Sequence, residues 1–336
     1  MGQVRTVWLQ QSRKRERVSP DFPSAEPPPA TVPFACPVCK AGTLEDAGLL
    51  VCPTCSASFG RDEGFPDLVV GPRFDDDVSC EGICLEDLAS AYSTEHYWLP
   101  LFRRLGDSVS GGEAMRVLSV GCGSGADVDF LAQCGLDAMG IDPGKRSQLW
   151  RQRRQPERLA LANGMNLPFH DGAFDIAFCG CVYPHVGVVG DTNQVSDTCW
   201  DDRQALANEM FRVVRPGGHV IVSSPNRQFP LDLFHGREPG QYLPRLNPPS
   251  SEFLLAARDY RRIFQTAGAR KVVPLPVEGY WGFVRSKHTV AGFLLGLPLR
   301  FIFWLVSRES FAALRPSFLS PWLIVLAQKS TARAET

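Results

Sequence analysis

"VLSVGCGSG", residues 117–125, is the stretch whose reading decides the fold. Val117 to Val120 form a short apolar run of the kind that makes a buried strand, and three glycines then follow at alternate positions, Gly121, Gly123 and Gly125. Gly121 and Gly123 let the main chain turn tightly and approach a ligand, while Gly125 admits close packing of the helix that "GADVDFLAQCG" predicts next. A strand, a glycine turn and a helix in that order make a nucleotide cradle. Gly121-x-Gly123-x-x-Ala126 also satisfies the dinucleotide-binding pattern, and Asp142, at the tip of the following strand, suits ribose hydroxyls whichever nucleotide is bound.

Outward from this turn the chain alternates strand and helix. "MRVLSV", "DAMGID", "RLALA", "FDIAFCG" and "HVIVSS" read as strands, and "KRSQLWRQRRQ" and "DDRQALANEMFRVV" as helices, the last stopped by "RPGG". That order predicts an α/β fold, with a mostly parallel sheet and helices on both faces. After Pro225 the rhythm breaks: 225–251 is rich in aromatics and proline and reads as a lid or substrate loop. A helix over "SEFLLAARDYRRIFQTAG" and strands over "ARKVVPLPVE" and "WLIVLAQKS" close the sheet.

Upstream lies a second signal. Cys36-x2-Cys39 and Cys52-x2-Cys55 are separated by twelve residues, and two such knuckles can converge four thiolates on one tetrahedral centre suited to Zn²⁺. Pro37 and Pro53 stiffen the turns. Four sulfurs leave no open coordination position, so the expected ion is structural, and in so short a unit it would supply much of the folding energy. The other seven of the 11 cysteines are scattered and read as small core residues. Their number and the absence of an apolar signal core in the first twenty residues favour a reducing, cytoplasmic setting.

The expected domains are a disordered leader over 1–33, carrying the basic run Arg13, Lys14, Arg15 and Arg17, a zinc-ribbon-like unit over 34–72, a helical linker over 73–110 and the main domain over 111–336. Within the last, 288–320 is an apolar insert. Its densest part, 290–306, contains one Arg and one Pro and is short of the ~20 apolar residues a membrane span needs. It reads as a cap over the site or as an interfacial helix resting on lipid, with Arg285, Lys287, Arg300 and Arg308 facing headgroups.

"NGMNLPFHDGAFDIAFCGCVYPHV" and "EMFRVVRPGGHVIVSSPN" downstream of the glycine turn resemble the class I S-adenosylmethionine-dependent methyltransferases, in the branch of the ubiquinone and menaquinone methyltransferases. The resemblance is close over about 115–228. It implies a Rossmann-like methyltransferase fold with a seven-stranded sheet, and S-adenosyl-L-methionine as cofactor. It implies that Gly121, Cys122, Gly123 and Gly125 hold the methionine end, Asp142 and Pro143 the ribose, and Asn163, Gly164 and Met165 the adenine. Cys179 would stand where cofactor and acceptor meet. His185 matches a family histidine and is the candidate general base, because imidazole titrates near neutral pH; His235 is the second choice. Two family acids are absent: Ser119 and Asn163 stand in their places, offering neutral bonds about half as strong as charge-assisted ones.

The function implied is methyl transfer by in-line displacement to a small or lipid-like metabolite, with peripheral membrane contact through 290–306. A zinc-bearing RNA methyltransferase and a non-catalytic cofactor-binding paralogue are the competing readings. Against nucleic acid stands the charge: the net value is −1, and 34–72 holds two basic residues against five acidic ones.

Overall fold

Strands whose side chains are buried on both faces organise the molecule. The computed structural model describes residues 28, 30–71, 73, 80–106, 114–190, 192–233, 235, 245–248, 250–282 and 290–331. The basic run of the leader, Arg285 and Lys287, and much of the lid lie outside the described residues. Short strands β1 (Glu45–Asp46), β2 (Leu50–Val51) and β3 (Ser58–Phe59) form a small antiparallel sheet in the cysteine unit, and β4 (Arg61–Asp62) pairs with β5 (Phe65–Pro66). Helix α1 (Cys80–Ser93), a π-helical turn over Thr94–Trp98 and α2 (Leu99–Gly106) lead into the main domain.

There β6 (Arg116–Val120), α3 (Ala126–Gln133), β7 (Asp137–Ile141), β8 (Leu159–Ala160), β9 (Phe174–Gly180), α4 (Cys199–Val213) and β10 (Val214–Pro225) follow in turn. A ribbon of β11 (Leu231–Asp232) and β12 (Arg245–Leu246) comes next, then α5 (Ala257–Thr266), β13 (Ala269–Pro274), α6 (Val290–Ser307) and β14 (Trp322–Lys329). The seven-stranded sheet has the order β13-β14-β10-β9-β6-β7-β8. Strands β8 to β10 run parallel, and β14 inserts antiparallel between β10 and β13. This is the Rossmann-like arrangement expected.

Alternation along β14 shows how the two layers form. Leu323, Val325 and Ala327 join Leu206, Met210, Tyr260 and Phe264 of α4 and α5 on one face, while Trp322, Ile324 and Leu326 join Phe102 of α2, Val128 of α3 and Phe303 of α6 on the other. A sheet covered on both sides needs such near-continuous apolar strands.

Several expected elements differ in extent. The basic segment after β7 is a run of 3-10 turns, Lys145–Gln152, because only Leu149 and Trp150 find a core to enter. The helix after the lid starts only at Ala257; Phe253, Leu254 and Leu255 before it are buried outside the helix, in a bend that ends with Leu255 bridged to Asn226.

The cysteine unit is built into the edge of the main domain. Leu68 donates its N–H to Leu161 O at 2.7 Å and Leu161 returns one to Pro66 O at 2.9 Å, which extends the sheet beyond β8. Ala35 donates to Pro168 O, Lys40 pairs with Glu209 at 2.9 Å, and Phe34 packs on Phe169.

Candidate functional site

In open α/β sheets the ligand crevice lies at the carboxyl ends of the strands, where successive connections leave in opposite directions. That point here falls between β6 and β9: the chain leaves β6 for β7 on one side, and β9 adds on the other. Two turns border the crevice, 121–125 after β6 and 181–185 after β9.

Gly121, Gly123 and Gly125 all have left-handed backbone, with φ of 71°, 55° and 74°. A Cβ on Gly121 would stand 2.5 Å from Val182 Cγ2, and one on Gly125 would stand 2.8 Å from Leu159 Cδ1. Side chains are thus excluded at both positions by neighbours as well as by φ. Trp150 Nε1 and Gly123 O close the loop from outside at 2.8 Å.

Asp142 is buried at the tip of β7. Its Oδ2 accepts from Gly123 N at 2.9 Å and its Oδ1 from Gly144 N at 2.8 Å, so one carboxylate ties the glycine turn to the next strand. Burial pushes its pKa up, opposed first by the nearby Arg146 charge. A carboxylate offers about four lone-pair sites; two remain for a ligand. Pro143 beside it is half-buried. Asn163 Oδ1 accepts from Met165 N at 2.9 Å and caps the 3-10 turn Gly164–Asn166, so this side chain is committed to shaping the turn. Gly164 leaves no room for a Cβ, which would stand 2.8 Å from Leu206 Cδ1.

The absence of an acid at 119 has a structural counterpart. Ser119 Oγ donates to Asp127 Oδ2, and the Asp127 carboxyl is buried in the first turn of α3. Burial raises its pKa to about 6. Sequence reading missed this residue, although "GADVD" shows it one turn past the glycines. Glu86 and Arg146 were missed as well: they pair at 2.6 Å, and Arg146 Cδ lies 3.4 Å from where a Gly123 Cβ would be. Next to Glu86, buried Asp87 pairs with Arg153 and accepts from Ser124 Oγ at 2.8 Å, which clamps α1 onto the loop.

On the β9 side, the Cys179 and Cys122 side chains are core: Cys179 packs with Ala177 in the cluster shared with α4, and Cys122 Sγ fills the space beside Gly140. Burial pushes both thiols well up. His185 sits in the 3-10 turn Tyr183–His185. Desolvation, then the charges of His235 and Arg146, hold its pKa at about 3. His235 lies beside it, ring centroids 5.1 Å apart, and Phe253 packs edge-on against both.

The four knuckle cysteines converge, with their sulfurs all within 4.8 Å of one another. The Cys36–Cys55 and Cys39–Cys52 pairs are each 3.6 Å apart, too long for a disulfide and close to the roughly 3.8 Å edge of a tetrahedron with ~2.3 Å zinc–sulfur bonds. The two turns are alike. Lys40 N donates to Cys36 O and Ser56 N to Cys52 O, both at 2.9 Å, and Lys40 and Ser56 are both left-handed. Main-chain N–H donors, Gly42 first and then Ala41, lower the Cys39 thiol to about 6, toward the thiolate a metal requires. A Cβ on Gly42 would stand 2.4 Å from Cys52 Sγ, so the donors crowd the centre. The residues fit a closed Zn²⁺ site.

With this geometry in place, residues 118–222 match the family described as methyltransferase domain. A probable S-adenosylmethionine-dependent methyltransferase of Mycolicibacterium smegmatis is 31% identical over 157 residues, 43% of this chain and 54% of that protein. The ubiquinone biosynthesis O-methyltransferase of Acinetobacter baylyi is 28% identical over 170 residues, covering 48% and 65%. The 2-methyl-6-phytyl-1,4-hydroquinone methyltransferase of Synechocystis sp. is 29% identical over 143 residues, covering 40% and 41%. The chain spans about half the length of the first of these relatives.

Proposed function

We propose that the protein transfers a methyl group from S-adenosyl-L-methionine to a small, lipid-like acceptor. The observation that carries this reading is the turn after β6: three left-handed glycines at the sheet's switch point, tied by Asp142 to the tip of β7. The methyltransferase-domain match supports it, and two relatives named for quinone or hydroquinone methylation favour an apolar acceptor. The cofactor would bring a sulfonium whose methyl carbon is already electrophilic. The chain's part is to hold and exclude. The main chain of Gly121, Cys122, Gly123 and Gly125 takes the methionine end, with the buried Asp127 carboxyl in the first turn of α3 as an acid beside it. Asp142 takes the ribose through its remaining lone pairs, with Pro143 beside it. The turn Asn163–Gly164–Met165 flanks the adenine, and the Cys179 main chain closes the floor. The knuckle's Cys36, Cys39, Cys52 and Cys55 hold a structural Zn²⁺ that shapes the β8 edge.

The apolar acceptor is met by α6. Phe303 and Val306 are buried against the sheet, whereas Leu297, Phe301 and Trp304 at i, i+4 and i+7 are exposed, as is Phe318 nearby. No helix among the described residues is long and apolar enough to cross a membrane. An exposed apolar stripe with Arg308 stacked over Trp304 suits a helix lying on a lipid surface. Isothermal calorimetry with S-adenosylmethionine, followed by transfer of tritiated methyl label to lipid extracts, tests the reading. Absence of cofactor heat would overturn it.

A further inference from the structure

Beside the crevice a second set of metal-ligating side chains converges. Cys181 Sγ, a His185 ring nitrogen and a His235 ring nitrogen all lie within 4.8 Å of one another, and Cys181 Sγ is 3.6 Å from His235 Nε2. A tetrahedral ion with ~2.3 Å bonds to sulfur and ~2.0 Å bonds to nitrogen sets those two donors roughly 3.5 Å apart. Two segments 54 residues apart, the turn after β9 and the chain after β11, bring the donors together. Cys181 follows β9, His185 ends the next turn, and His235 follows β11. Cys181 is held with left-handed backbone, φ 58°, by an N–H bond to Ser223 O at 2.7 Å, an orientation most non-glycine residues avoid.

Asp232 supplies what a ligating histidine needs behind it. This carboxylate is fully buried and accepts from His235 Nδ1 at 3.0 Å and from His235 N at 3.1 Å, with Arg245 balancing its charge at 3.1 Å. With the proton on Nδ1, the Nε2 lone pair is directed toward Cys181. A carboxylate behind a histidine that faces a thiol is the arrangement that fixes tautomer and ring orientation in metal centres.

We propose that Cys181, His185 and His235 bind a second transition-metal ion, of the zinc class, with Asp232 as the positioning residue of His235. Among the described residues this site has three protein donors, against four in the knuckle; three protein donors with an exogenous fourth ligand is the donor set of catalytic zinc centres, and we assign the fourth position here to an exogenous anion. The site adjoins the glycine turn: Val182, beside Cys181 in sequence, packs on Gly121. On the methyltransferase reading, on which this clause alone rests, the open position takes the thiol or hydroxyl of the acceptor as its anion, the proton passing to water.

The test uses the full chain, stripped with chelator and reloaded with Zn²⁺ or Co²⁺. Metal per chain is counted by mass spectrometry, and the Co²⁺ spectrum is recorded with and without azide. Two equivalents are expected, falling to one in Cys181→Ser or His235→Ala, with the remaining cobalt showing the spectrum of the four-sulfur knuckle. Azide should shift the visible bands of the wild type and not those of either variant. Asp232→Asn, which keeps all three ligands, should weaken the second equivalent by about 10- to 100-fold. One equivalent in the wild type, unchanged in Cys181→Ser, would overturn the proposal; two equivalents insensitive to azide would overturn the open position. Cofactor calorimetry on the same samples keeps a failure of the methyltransferase reading separate from either result.

Discussion

At 36–40 and 52–56 the chain turns through left-handed Lys40 and Ser56, and sulfur side chains point inward to a common centre. At 121–125 it turns through three left-handed glycines, and main chain alone is offered to the crevice. Both turns present donors to a ligand, but one does so by the side chains it carries and the other by the side chains it lacks. The knuckle has its binding energy concentrated in four atoms, so losing one should be severe. The glycine turn has it spread over main chain whose cost is conformational, so its variants should be graded by what each Cβ meets.

The largest effect expected is therefore at the knuckle. Cys52→Ser should abolish the knuckle's metal equivalent, and chelator should remove it too; with it goes most of the unit's folding energy, which for small zinc units is on the order of 10 kcal/mol. Since Leu68 and Pro66 pair with Leu161, the loss should reach the β8 edge and lower the melting temperature of the whole chain. A melting curve indifferent to chelator would mean the sulfurs are held by packing alone. Second in size comes Gly121→Ala. Left-handed alanine costs about 1–2 kcal/mol, and displacing Val182 from 2.5 Å adds about 1–3 kcal/mol of overpacking. Denaturant midpoints should show the sum.

The difference between the two turns also explains how much could be read from sequence. Cys-x2-Cys repeated at close range names its chemistry by residue type, and the glycine spacing between a strand and a helix names its backbone. Both were legible, as was the sheet, because strands buried on two faces must be apolar almost throughout. What was not legible depends on contacts between distant segments. Cys181 stands four residues before His185 and was read as core, since nothing local shows that His235, 54 residues on, will close on its sulfur. Asp127 was passed over for the same reason: its partner Ser119 lies on the preceding strand, and only the fold brings that hydroxyl to a carboxyl in the first turn of α3. The 3-10 run at Lys145–Gln152 carried helical residues but too few apolar ones to anchor a regular helix.

Asp127 sharpens the comparison from the electrostatic side, because here a buried side chain supports a main-chain site. Its pKa is raised from 3.8 to about 6, so folding favours the protonated acid. The associated stability is fully present below pH 3.8 and is lost as pH rises through about 6. A shift of that size corresponds to about 3 kcal/mol at most. Thermal melts of the wild type and Asp127→Asn from pH 3 to 8 should diverge between about pH 4 and pH 6 and keep a constant gap above that, with the variant the more stable at pH 7.5. If the carboxylate serves a bound cation, the same variant should bind S-adenosylmethionine more weakly despite its added stability, and wild-type affinity should fall below pH 6. Parallel melting curves for the two proteins would remove Asp127 as a strained charge.

The smallest expected stability effects separate backbone strain from ligand contact. Gly123 and Gly135 are both left-handed, with φ of 55° and 89°, and neither Cβ would meet a hard obstacle: Arg146 Cδ lies 3.4 Å from the first and nothing lies within 4 Å of the second. Gly123→Ala and Gly135→Ala should each lose about 1–2 kcal/mol, the strain of a left-handed alanine and little else. Their effect on cofactor should differ, because Gly135 ends α3 away from the crevice while Gly123 donates its N–H to Asp142 inside it. Calorimetry should find S-adenosylmethionine binding unchanged in Gly135→Ala and weakened at least tenfold in Gly123→Ala, where the methyl stands in the path of approach to the main chain. Equal affinities in the two variants, at equal stability, would show that the turn is glycine-rich for its backbone geometry and not for what it lets near.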